Sequence, residues 1–228
     1  MSAELRREFL DGATTDRYSR CVYMLSVLRK KAADLRDRLR GRDQFDASLG
    51  VDTSGIIRVV DTKSPNRVHG ARYQPCNPEN LRWAIESAHA DLANFDFADI
   101  GCGKGRALVV ASKYPFRRLI GVDYSLPFVE TARENLKHIG ASERSELHCQ
   151  DAVSFRFKSQ ATFLFLYNPF SSSLLDAVLL HLRQDVLDRG FPVIIIYQGP
   201  RPQEIIATGW AEKVDQRSST SLFFVRSG

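Results

Sequence analysis

No apolar run in the sequence approaches the roughly 18–20 residues of a membrane span. The first ten residues, with Glu4, Arg6, Arg7 and Glu8, lack the apolar stretch of a signal peptide. Only four cysteines occur, Cys21, Cys76, Cys102 and Cys149, and none are spaced as CxxC. That scarcity argues for a reducing compartment, and against a disulfide framework or a zinc site. No cluster shows metal-ligand spacing, so metal assistance is not expected. Internal repeats and low-complexity segments are absent as well. A cytoplasmic globular protein is the expectation, and 228 residues suffice for one α/β domain with an N-terminal extension.

Charge is abundant but unevenly placed. Residues 1–42 hold eleven Lys/Arg against six acids, and thus the whole formal charge of +5. Within them Val22, Leu25, Leu28, Ala32, Leu35 and Leu39 recur at steps of three or four, which predicts a basic amphipathic helix or helices. A basic arm suits an acidic protein or nucleic acid, whereas a solvated helix face explains the same residues without any partner. A linker-like stretch rich in Gly and Pro follows to Asn80, with a short strand possible over 55–60 and Pro78 near the start of the next helix.

From residue 81 the pattern becomes regular. Leu81, Ala84, Ile85, Ala88 and Leu92 predict one helix face, and Phe95 to Ile100 a strand. Alternation then continues: helix from about Arg106 to Lys113, strand over 118–122, helix through Val129, Ala132, Leu136 and Ile139, strands over 145–149 and 162–167. The helix carrying Leu174 to Leu187 precedes an apolar strand over 191–197, of the kind buried on both faces. A short helix over 203–208 and strands over 212–216 and 221–225 complete the count. The expected fold is an α/β, Rossmann-like, seven-stranded, mostly parallel doubly wound sheet with an N-terminal helical extension. Three parts are expected: residues 1–42 as the basic extension, 43–80 as linker and cofactor lid, and 81–228 as the catalytic domain.

The informative stretch is Asp99-Ile100-Gly101-Cys102-Gly103-Lys104-Gly105-Arg106, between a strand and a helix. A glycine turn there lets backbone approach a ligand closely, with the helix N-terminus aimed at it. The dinucleotide fingerprint GxGxxG fails in both registers, since its last small residue falls on Arg106 or Leu108. What fits is acid-x-G-x-G-x-G, the pattern carried by class I methyltransferases that use S-adenosylmethionine (SAM). Asp123, ending the next strand 22 residues after Gly101 and followed by Tyr124, is placed to accept both ribose hydroxyls. Asp151 follows the third strand. The competing explanation is a tight turn with helix-capping acids.

Resemblance extends further. Phe45-Asp46 through Gly50-Val51-Asp52-Thr53-Ser54-Gly55, then Arg72-Tyr73-Gln74-Pro75, the glycine loop and Tyr167-Asn168-Pro169-Phe170 together resemble a bacterial family of class I methyltransferases without a settled substrate, over about residues 42–228. More distantly, the chain is similar to seven-strand protein-lysine methyltransferases, of the non-SET histone type and the ATP-synthase c-subunit type. These resemblances imply SAM as cofactor, Asp151 beside the adenine, Asp99 toward the methionine amino group, and Tyr73 closing over the methionine end. With Gly101, Gly103, Gly105, Asp123, Tyr124 and Asn168 they make up the expected cofactor site.

Tyr167-Asn168-Pro169-Phe170 resembles the (Asp/Asn)-Pro-Pro-(Tyr/Phe) motif of amino-group methyltransferases, with one proline fewer. It makes Asn168, Pro169 and Phe170 the expected catalytic residues, Asn168 and a Pro carbonyl accepting from the target amine. His138 and His148 qualify as general bases by residue type alone. A protein lysine leads as acceptor, with RNA and small molecules as alternatives; a non-catalytic SAM-binding scaffold is the reading from another class.

Overall fold

The computed structural model describes residues 43–55, 73–158, 160–167 and 172–225. Apart from Asp43, all of these fall in one compact unit, Gln44–Gly228. The basic segment 1–42, residues 56–60 of the short strand expected over 55–60, and Asn168, Pro169 and Phe170 lie outside the described residues.

Thirteen α and β elements follow in chain order: α1 (Gln44–Leu49), α2 (Pro78–Ser87), β1 (Asp96–Ile100), α3 (Arg106–Ala111), β2 (Arg118–Asp123), α4 (Leu126–His138), β3 (Ser145–Cys149), β4 (Thr162–Tyr167), α5 (Ser172–Asp185), β5 (Val193–Gln198), α6 (Pro202–Ile206), β6 (Ala211–Arg217) and β7 (Thr220–Val225). The strands form one sheet in the order β3-β2-β1-β4-β5-β7-β6. All neighbours are parallel except β7, which runs antiparallel to both β5 and β6. This is the expected seven-stranded, mostly parallel sheet.

The central strands carry β-branched and aromatic residues on both faces because helices cover both. On one side Phe97, Phe163 and Phe165 pack beneath α2 and α3 with Leu81, Ile85 and Leu108. Phe116 meets Phe163 edge-on at 5.1 Å. On the other side Ile100, Leu164 and Leu166 pack against Leu175, Leu179 and Leu182 of α5. At roughly 1.5–3 kcal/mol per buried large apolar side chain, these layers dominate stability.

Local chemistry sets the element ends. Asn77 caps α2, its side chain accepting from the amides of Glu79 and Asn80 at 2.9 and 3.1 Å, with Pro78 in the first turn. That helix stops at Ser87, short of the expected stripe through Leu92. His89 takes a left-handed φ of 48°, and Leu92 opens a separate 3-10 turn while still packing on the core. Likewise β5 begins at Val193, not Phe191, since Pro192 has no N–H to donate; its carbonyl accepts from Thr162 N at 3.0 Å. Leu187 leaves the preceding helix for a 3-10 turn closed by Gly190 at φ 78°. The outer strand β6 is exposed along almost its whole length, and its pairing shifts register between Lys213 and Asp215.

Candidate functional site

Parallel strands β1 to β4 all end on the same edge of the sheet, so the glycine turn, Asp123 and Asp151 meet there. The turn after β1 folds back onto β2: the amides of Gly101 and Cys102 both donate to the Val122 carbonyl, at 2.8 and 3.0 Å. Gly105 N then closes on Cys102 O at 2.8 Å. Gly101, Gly103 and Gly105 adopt φ of 87°, 52° and 82°, a region that L side chains rarely enter. Two of them are also crowded. A Cβ on Gly103 would come within 2.3 Å of the Tyr73 ring, and one on Gly105 within 3.0 Å of Ala132 Cβ.

Asp123 is 8% exposed and holds the turn, with Oδ2 accepting from Gly103 N at 2.9 Å and Oδ1 from Ser125 N at 2.8 Å. Each oxygen keeps acceptor capacity for a ligand. Burial raises its pKa from the ordinary carboxylate range to about 6, offset in part by those two amides. Asp99, on β1, is 3% exposed, and no hydrogen bond to its carboxylate forms among the described residues. Its pKa is pushed well up, first by burial and then by the charge of Asp123. An orphaned buried carboxylate beside a glycine turn fits a cationic ligand group.

Asp151 caps the short turn Ala152–Ser154, accepting from Val153 N at 3.1 Å, so the capping explanation does account for one of its bonds. Tyr124 is half-buried, and its carbonyl takes the Cys149 thiol at 3.8 Å. Tyr73 lies with its ring against Gly103 and 5.0 Å from the Phe128 ring. The Tyr73 hydroxyl donates to Thr53 O at 2.6 Å, and burial raises its pKa. The thiols of Cys76 and Cys102 are buried here too, and burial shifts both upward.

The two histidines have packing partners of their own. Nε2 of His138 stands 2.7 Å from where a Gly50 Cβ would be, and His148 lies 5.5 Å from the Phe155 ring. Sequence reasoning missed a group that the structure brings onto the loop: Asp46, Thr53 and Ser54, gathered around Arg106. A signal existed in Arg106 itself. A cation in the first turn of a helix opposes the macrodipole and calls for an acid nearby.

Residues 97–185 match the family model for a methyltransferase domain. No curated protein matches the chain. Among solved structures, the mitomycin 7-O-methyltransferase is similar at TM-score 0.50 and 12% identity, over 66% of this chain and 54% of that one. The chain therefore spans about half the length of that enzyme. A SAM-dependent O-methyltransferase of Thermotoga maritima is similar at TM-score 0.50 and 15% identity, over 69% and 68% of the two chains. An RNA methyltransferase of Salinibacter ruber, crystallised with S-adenosylhomocysteine, scores 0.49 at 21% identity over 66% and 92%.

Sheet order, glycine turn and these likenesses define the class I methyltransferase fold. A methyltransferase domain is matched over residues 97–185, which hold the glycine turn, Asp123 and Asp151, so the chain carries a domain of the SAM-dependent methyltransferase class. Among the described residues no helix is long and apolar enough to cross a membrane.

Proposed function

We propose that this enzyme transfers the SAM methyl group to a nitrogen, with a protein lysine as acceptor. The observation that supports this reading is the Tyr73 ring lying against Gly103 of the glycine turn, taken with the likeness of Tyr73-Gln74-Pro75 to an element of lysine methyltransferases. In the sequence Asn168, Pro169 and Phe170 follow directly on Tyr167, the last residue of β4, and their likeness to the amino-group methyltransferase motif supports the same reading.

The residues present suit the cofactor. Asp123 keeps lone pairs for the ribose hydroxyls, Asp99 offers a buried carboxylate for the methionine ammonium, and Asp151 and Tyr124 flank the adenine end. When bound, SAM supplies a methyl group already activated as a sulfonium. What remains for the chain is to hold donor and acceptor in line at roughly 3–3.5 Å and to exclude water. Tyr73 and Phe128 present apolar ring surface beside the turn for that exclusion. Asn168 and a Pro169 carbonyl accept from the amine, orienting its lone pair toward the methyl carbon. A lysine enters deprotonated, its proton passing to solvent. The basic segment 1–42 is suited to draw in an acidic protein partner.

The test is a labelled-methyl assay of cell lysate with the full chain, sorted into protein, RNA and small-molecule fractions. Label recovered as methyl-lysine after protein hydrolysis is the expected result. Label confined to RNA or small molecules would overturn the lysine assignment, and SAM binding without any labelled product would make the chain a binding protein.

A further inference from the structure

Arg106 opens α3 directly after the third glycine, yet it is only 5% exposed. Solvent does not relieve this charge at the positive end of a helix; residues some fifty to sixty positions earlier do. Its Nη2 lies 3.3 Å from Asp46 Oδ1 and donates to Ser54 Oγ at 3.0 Å. Nε donates to Thr53 Oγ1 at 2.7 Å, and the guanidinium sits 5.1 Å over the Phe45 ring.

Asp46, 1% exposed, gathers the rest of that segment. Its Oδ2 accepts from Thr53 N at 2.8 Å, Ser54 N at 2.7 Å and Ser54 Oγ at 2.5 Å, and its Oδ1 accepts from Thr53 Oγ1. Two further links tie the segment to the loop. Lys104 Nζ reaches Asp52 Oδ1 at 2.8 Å and Ser54 O at 3.0 Å. The Asn135 amide bonds Asp52 N and O, each at 2.9 Å, and Lys104 O at 3.0 Å.

A buried ion pair adds little net stability compared with apolar packing of equal volume. What it does supply, through a guanidinium fork and directed hydroxyls, is orientation. The oriented group here is the Thr53 carbonyl, which receives the Tyr73 hydroxyl while the Tyr73 ring rests on Gly103. We infer that residues 44–55 form a wall of the cofactor site, in which Asp46, Thr53 and Arg106 are positioning residues holding Tyr73 against the glycine turn. The inference rests on the SAM-dependent methyltransferase reading for the ligand, and on the geometry alone for the positioning.

Two readouts on the full chain keep those parts separate. The first is the NMR shift of Gly103, which the Tyr73 ring current perturbs with no ligand present. Thr53→Val is expected to move it toward its value in Tyr73→Ala, and Thr53→Ser to leave it near wild type. The second is calorimetric titration with S-adenosylhomocysteine. Thr53→Val should bind at least tenfold more weakly. Thr53→Ser and Asp96→Asn, which breaks a buried ion pair at the other end of β1, should stay within threefold. An unmoved Gly103 signal in Thr53→Val overturns the positioning role. An equal affinity loss in Asp96→Asn overturns the specific wall, reducing it to general stability. Failure of the wild-type chain to bind would instead strike the cofactor reading, with the Gly103 signal still deciding the positioning.

Discussion

Two aspartates three residues apart on β1, Asp96 and Asp99, are almost equally buried, at 1% and 3% exposure. Their surroundings are opposite. Asp96, at the amino end of the strand, is saturated: Arg117 Nε donates to Oδ1 at 3.0 Å, and Arg118 reaches Oδ1 at 3.2 Å and Oδ2 at 2.6 Å. Asp99, at the carboxyl end, meets only burial and the nearby charge of Asp123. Among the described residues the fold supplies one carboxylate with two arginines and leaves the other without a hydrogen bond, a contrast that fits the ligand role proposed for Asp99. Burial alone would not distinguish them. The partner set does.

The largest expected effect tests the first half of this contrast. Asp96→Asn leaves two arginines facing a neutral group and should cost about 3 kcal/mol of stability. That is the low end of the range for breaking a buried pair, since both arginines keep some solvent. Denaturant unfolding measures it, and a loss below about 1 kcal/mol would break the comparison. Asp99→Asn should go the other way, stabilising the apo chain by removing a buried charge while weakening SAM binding.

The sign of that gain depends on pH. A carboxyl whose folded pKa is raised keeps a proton that the unfolded chain releases, so its destabilisation grows as pH rises above the ordinary carboxylate range. The benefit of Asp99→Asn should therefore grow from pH 4 upward. A pH-independent difference would remove burial of the charge as its cause.

Smaller, but on the same edge, Asp123→Ala should weaken SAM affinity by about 1.5–3 kcal/mol, through loss of charge-assisted bonds to the ribose. Unchanged affinity by calorimetry would take Asp123 out of the ribose site. Its raised pKa of about 6 adds a signature: a ligand needing the ionised form releases protons on binding near pH 6, and none well above it. Titrations at pH 6 in buffers of different ionisation enthalpy would report the release, and identical heats would contradict it. Least of all, His148→Ala should leave turnover within about a factor of two and stability within about 0.5 kcal/mol, as for an exposed strand residue. A large fall in turnover would bring back a general base.

Much of the sheet and of the glycine turn was legible in the sequence, and for identifiable reasons. Strand and helix periods located every element of the sheet, and β3 and β4 begin and end at the expected residues. The three glycines of the turn were readable because L side chains rarely enter their positive φ, and at Gly103 and Gly105 a close neighbour adds to that demand. Boundaries failed where one residue overrode the pattern, at His89 and at Pro192. The partners of Arg106 were not legible, because Asp46 and Thr53 lie sixty and fifty-three positions away, joined by folding and not by any period. The motif singles out Asp99, but nothing in the sequence shows that Asp96 has arginines beside it; only packing does.

The outer strand β6 has a consequence of another kind. Its free edge belongs to a strand reading Glu212, Lys213, Val214, Asp215, Gln216 and Arg217, with a register slip at Val214. A sheet whose inner strands are as apolar as β4 and β5 would polymerise edge to edge if its last strand were flat and oily. Alternating charges and a kinked ladder deny an incoming strand a regular template. Replacing Lys213 and Asp215 by valine should thus make the chain self-associate, without touching the chemistry at the far end of the strands.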